Sequence, residues 1–245
     1  VRNRAGVAAV AAAAATAAVL ASTPLAAADR GGEPHLPNLV TRRPLGLRLW
    51  HQGDATLLRF SNTVVNAGDG PLELRPENVG ETTTAYQRVL TPDGQGWVLV
   101  SEQPVGTFVF HPQHSHWHFE AFSEYQLRRV RPDGGIGRLL RETEDKVSFC
   151  VADSLSIFAN LPHASPVGVY PTTCAQSAIQ GLSVGWGDRY AWQLYGQWVD
   201  VTGIPTGRYW LTSRADPLDL IDETDETDNR SAVLLRLSAD GVDRL

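Results

Sequence analysis

From Leu47 onward the chain is a succession of short runs rich in β-branched and aromatic residues, each closed by turn chemistry before a helix could be built. Residues 55–65 alternate around Leu57, Arg59, Ser61 and Thr63 and end in Asn66-Ala67-Gly68-Asp69-Gly70, a turn signature. Further runs follow at 72–74, 82–90, 97–100 and 107–110, with Pro92-Asp93-Gly94 as one of the breaks. A run opened by a histidine cluster continues through Phe122, Tyr125 and Leu127 to Val130, before Pro132-Asp133-Gly134-Gly135 turns the chain. Residues 147–151, 195–201, 208–213 and 232–237 complete the set. Beyond residue 28 no segment sustains a helical period. Many short strands with regular turns predict an all-β fold, a β-sandwich. Residues 154–180, with Pro162, Pro166 and Pro171, are expected to form long irregular loops.

The first 28 residues read as something other than fold. Arg2 and Arg4 precede an Ala/Val/Leu stretch, then Pro24 and Ala26-Ala27-Ala28 before Asp29. This is the layout of a secretory signal cleaved after Ala28, with an uncleaved membrane anchor as the alternative. A chain that starts with Val and lacks Met has the form of a literally translated alternative start codon, which implies a bacterial gene. Without Arg2 and Arg4, 19 basic side chains face 27 acidic ones, a net charge of −8 with histidine neutral. Such a surface argues against nucleic acid and anionic membranes and favours cationic partners. In an exported protein, Cys150 and Cys174 with no third cysteine imply one disulfide. Two soft metal ligands are the alternative, at a spacing wrong for a zinc thiolate pair.

Four of the seven histidines fall between His111 and His118. His114, His116 and His118 alternate with Ser115 and Trp117, so an extended strand would aim three imidazoles at one face. Neutral imidazole favours copper, zinc, iron and nickel.

The run Phe110-His111-Pro112-Gln113-His114-Ser115-His116-Trp117-His118 resembles the copper signature of the lysyl oxidases, W-H-x-C-H-x-H-Y-H. The resemblance covers most of the chain after the signal. It begins near Pro37-Asn38-Leu39-Val40, passes through Leu57-Leu58-Arg59-Phe60, and continues in Phe122-Ser123-Glu124-Tyr125-Gln126-Leu127 with one residue missing before it. Asp145-Lys146-Val147-Ser148-Phe149-Cys150-Val151-Ala152-Asp153 is similar to the family's HKASFCLED. Gly181-Leu182-Ser183 through Tyr190, leading to Gln197-Trp198-Val199-Asp200, is similar to a further family segment whose cysteine before Gln-Trp is Gly196 here.

The resemblance implies one lysyl oxidase-like catalytic domain over residues 29–245. It implies copper held by His114, His116 and His118, with His111 as a nearby accessory, and a Cys150–Cys174 disulfide. It also implies that Lys146 and Tyr190 are the precursors of lysine tyrosylquinone, a cofactor made from the protein itself. The implied reaction is oxidative deamination, by O₂, of peptidyl lysine or other primary amines to aldehydes, with release of hydrogen peroxide and ammonia. Lysine must be neutral to add to an oxidised ring, which burial or a nearby cation promotes. Lys146 is the only lysine in the chain. In isolation it would be a solvated charge and Tyr190 ordinary packing, and only their company with the histidines assigns them a role. Asp188 and Asp153 are candidate bases. The family's calcium ligands match Asn38, the Leu39 carbonyl, Glu223, Asp225, Asp228 and Asn229, whose oxygens suit a hard cation. A solvated acidic turn is the plain alternative for the last four.

Two other functions stay open at this point. One is a non-catalytic exported metal-binding β-sandwich. The other is a zinc hydrolase using three histidines, for which no HExxH pairing is present.

Overall fold

The computed structural model describes residues 32–77, 80–112, 115–143 and 147–245. The segment expected to be a signal peptide, with His114 and Lys146, lies outside these residues. Among the described residues there is no helix, so none is long and apolar enough to cross a membrane. Antiparallel strands form two sheets. The smaller is built on β3 (Ala55–Asn66), which pairs with β1 (Leu39–Thr41), β2 (Leu45–Gln52), β12 (Trp186–Tyr190) and β13 (Trp198–Asp200), while β10 (Leu155–Ser156) adds to β12. The larger runs β11 (Gln180–Leu182), β4 (Leu72–Pro76), β5 (Thr82–Pro92), β6 (Trp97–His111), β7 (His116–Val130), β14 (Gly207–Ala215), β15 (Arg230–Leu237) and β16 (Val242–Arg244). Two further strands, β8 (Ile136–Glu142) and β9 (Val147–Phe149), also pair with β7.

The two-residue period of β3 explains the core. Leu58, Phe60 and Val64 are wholly buried on one face, and the Phe60 ring meets Tyr125 of β7 edge-on at 4.8 Å between centroids. Leu127, Leu211 and Leu235, from three adjacent strands of the larger sheet, join the same core. The all-β expectation therefore holds. Several details differ. The runs at 97–100 and 107–110 are one strand, because a register shift near Ala85 and Tyr86 accommodates Pro104 and Gly106 in a bulge. The irregular region 154–180 holds only the two-residue β10 and the first residue of β11, and of the run expected at 195–201 only Trp198–Asp200 is strand.

The turn at Asn66 is pinned from both sides. Asn66 Nδ2 donates to the carbonyls of Gly70 at 2.8 Å and Leu182 at 3.0 Å, and Oδ1 accepts from the amides of Asn38 and Gly68. A Cβ on Gly68 would sit 2.5 Å from the Asn38 nitrogen. Glycine is therefore required where the turn presses on the segment leading into β1.

Candidate functional site

The histidines are positioned by one strand pairing. Along β7, His116 and His118 are two residues apart and share a face. Their rings stack at 4.9 Å, with the two Nε2 atoms 2.9 Å apart. His111 closes β6 and lies opposite His116 in the register, and its ring stacks on His118 at 4.2 Å. Two Nε2 atoms this close cannot both carry protons, so at least one presents a lone pair, as a metal ligand must. The expected continuous run of three alternating imidazoles is corrected at its start. Strand β7 begins only at His116, and Ser115 has a left-handed φ of 57°. The described part of the cluster is thus His111, His116 and His118, with His114 outside the described residues.

Ser148 was quoted within a motif but given no role. Its hydroxyl lies 3.1 Å from His118 Nδ1 and 3.3 Å from His111 Nε2. Partners of this kind fix ring orientation and tautomer in histidine sites. The signal that could have found it is the period of β9, where Ser148 lies between buried Val147 and Phe149.

Tyr190 ends β12 and is held by backbone. Its hydroxyl accepts from the Cys150 amide at 2.5 Å and donates to the Cys150 carbonyl at 3.2 Å, while its ring stacks on Phe149 at 3.6 Å. Burial, then the nearby Asp188 carboxyl, pushes the phenol well above its ordinary value, so it stays protonated at neutral pH. Cys150 and Cys174 form the expected disulfide. The Cys174 carbonyl accepts from the Trp117 amide at 3.2 Å, so the loop it anchors is tied to the histidine strand.

These elements open on one cleft of about 1040 Å³, lined by His111, His116, His118, Ser148, Asp188 and Tyr190. Val147, the residue after Lys146, lines it too, as do the exposed Leu194 and Tyr195 and the carboxylates Glu120, Glu142 and Asp200. The left-handed Ala121 (φ 55°), where the pairing of β7 with β9 shifts register, sits at the same cleft. Bulges commonly re-aim side chains next to sites.

The two candidate bases part company. Asp153 is fully engaged, accepting from the amides of Val169, Tyr170 and Ser183 and from the Ser183 hydroxyl. Asp188 lines the cleft, is 4 % exposed, and its Oδ2 has no hydrogen-bond donor among the described residues. Burial raises its carboxyl well above the ordinary aspartate value, against hydrogen bonds from Ser154 and the backbone.

The predicted oxygen ligands gather at the start of β1. The Leu39 amide donates to Glu223 Oε2, Asn229 Nδ2 donates to Glu223 Oε1 at 2.6 Å, and Asn38 Nδ2 donates to Asp228 Oδ2 at 3.2 Å. The Oδ1 atoms of Asn38, Asp228 and Asn229 are buried with no donor. Burial pushes Glu223 up to about 8. Asp225 is exposed and accepts from the amide and hydroxyl of Thr227.

The chain is similar to several known proteins. Human lysyl oxidase homolog 1 is 34 % identical over 132 residues, 54 % of this chain and 21 % of that protein. Rat protein-lysine 6-oxidase is 30 % identical over 132 residues, 54 % of this chain and 29 % of its own length. Bovine lysyl oxidase homolog 4 is 28 % identical over 182 residues, 74 % of this chain and 18 % of that protein. The aligned stretch is thus less than a third of each relative. The lysyl oxidase family profile matches residues 97–242, from the start of β6 to the start of β16, and the chain belongs to the lysyl oxidase family.

Proposed function

We propose that this chain is a secreted copper amine oxidase that makes lysine tyrosylquinone from Lys146 and Tyr190 and oxidises peptidyl lysine or other primary amines with O₂. The observation that carries it is the single cleft lined by Tyr190, the imidazoles of His111, His116 and His118, and Val147 next to Lys146. Copper would be held by His114, His116 and His118, with His111 stacked on His118; neighbouring imidazole nitrogens with a lone pair suit it. Copper with O₂ supplies the oxidation of a phenol to a quinone, whose carbonyl is the electrophile toward an amine. The rest falls to the protein. The Cys150 peptide and the Phe149 ring hold Tyr190 in place. Asp188, its proton affinity raised by burial, takes the proton that a bound amine gives up from its α-carbon, and Oδ2 has the unshared lone pair for it. Glu120, Glu142 and Asp200 favour entry of a cation. Calcium would lie among Asn38, Leu39, Glu223, Asp225, Asp228 and Asn229, where three buried oxygens lack donors. Secretion is supported by the Cys150–Cys174 disulfide, a bond that persists in oxidising compartments.

One observation favours a second reading, a non-catalytic exported metal-binding sandwich. Both hydrogen-bonding roles of the Tyr190 hydroxyl are already satisfied by backbone, as they would be for a structural tyrosine. Copper loading under air followed by phenylhydrazine decides between them. The oxidase gives a covalent adduct and amine-dependent peroxide. The binding module gives neither while still retaining copper.

A further inference from the structure

Near the proposed calcium ligands, the loop between β14 and β15 gathers a separate set of carboxylates. We infer that Asp216, Asp219 and Glu226 form a second divalent-cation site, of the calcium class, distinct from the cluster around Asn38, Glu223 and Asn229. One carboxylate oxygen from each of the three lies within 4.8 Å of the others. Calcium binds oxygens at roughly 2.3–2.6 Å, so ligands of one ion lie within about 5 Å of each other. Three like charges at that separation repel unless a cation or a shared proton stands among them. The independent observation is Asp216 itself. It is 1 % exposed, its Oδ2 accepts from the Leu220 and Ile221 amides at 2.8 Å each, and its Oδ1 is buried with no donor. A buried acceptor without a partner calls for one, and no donor among the described residues reaches it. Glu223 is not a member of this set: its two oxygens meet the Leu39 amide and the Asn229 side chain, which belong to the other cluster. Asp219 and Glu226 are exposed, which leaves the ion open to water for its remaining ligands.

The inference is independent of the copper chemistry and is tested on the whole chain by calcium titration after chelation, read by calorimetry and native mass. The wild type takes up two calcium ions, Asp219→Asn with Glu226→Gln takes up one, and Glu223→Gln loses the other. Because Asp219 and Glu226 are exposed, their replacement leaves the core intact, and Asp240→Asn with Asp243→Asn serves as a control that binds like wild type. Uptake by the Asp219/Glu226 double variant equal to wild type overturns the second site. Loss of an ion in the double variant with none lost in Glu223→Gln upholds the second site and removes the first.

Discussion

The cleft and the acidic loop differ in how many of their buried polar groups are answered. In the cleft the scaffold does the holding: the β6–β7 register sets His111 against His116, and the Cys150 peptide with the Phe149 ring fixes Tyr190. In the loop region amides and side chains together hold the carboxylates, and among the described residues four buried oxygens, on Asn38, Asp216, Asp228 and Asn229, lack donors. The difference teaches where each region's sensitivity lies. Reactive groups can be cut from the cleft with modest loss of stability. The loop should be stable only when a ligand answers its unpaired oxygens, so stability there is linked to cation concentration.

The largest expected effect lies in the cleft. Tyr190→Phe and Lys146→Arg each abolish amine-dependent peroxide release, read by a coupled peroxide assay, while copper still binds. For Tyr190→Phe the folded state loses only the hydrogen bonds to Cys150, about 1–2 kcal/mol in a denaturant titration. A loss well above that would make Tyr190 a structural residue and break the contrast. Next comes the disulfide. Cys150→Ser with Cys174→Ser lowers stability by roughly 3–4 kcal/mol and, by loosening the peptide that holds Tyr190, lowers turnover as well. Third, chelation of calcium lowers stability by about 3 kcal/mol for each site relative to protein at a hundredfold excess over the dissociation constant, and calcium return restores it. Chelation that leaves the melting temperature unchanged would erase the distinction between the two regions.

The smallest effect concerns Asp188, whose pKa is raised by burial. The unfolded chain releases this proton near pH 4 while the folded protein keeps it to higher pH. The folded state therefore binds more protons in that window, and stability falls as pH rises above about 4. Asp188→Asn removes this slope. The variant should match wild type near pH 4, exceed it at neutral pH in urea titrations, and turn over amine more slowly.

Much of this was legible in the sequence, for identifiable reasons. The alternation in residues 55–65 and the Asn66 turn marked β3 and its end because one face is core and the turn residues are chemically specific. The histidine run marked, by residue type alone, the cluster that lines the cleft. What stayed hidden depends on long-range pairing. The place of His111 comes from the register of β6 against β7, and that of Ser148 from the pairing of β9 with β7. Strand β8 is mostly exposed and pairs only with β7, so it lacks a strong apolar alternation to reveal it. The different surroundings of Asp153 and Asp188 follow from a loop that occupies one and a cleft that leaves the other open. The set of Asp216, Asp219 and Glu226 depends on the path of a loop, which no periodic pattern encodes.

The most direct test is peptide mapping by mass spectrometry of copper-loaded protein proteolysed after phenylhydrazine treatment. The account predicts a covalently joined pair of peptides, one containing Lys146 and the other Tyr190, carrying the hydrazine label. Recovery of both peptides unlinked and unlabelled, from protein that has bound copper under air, would contradict it.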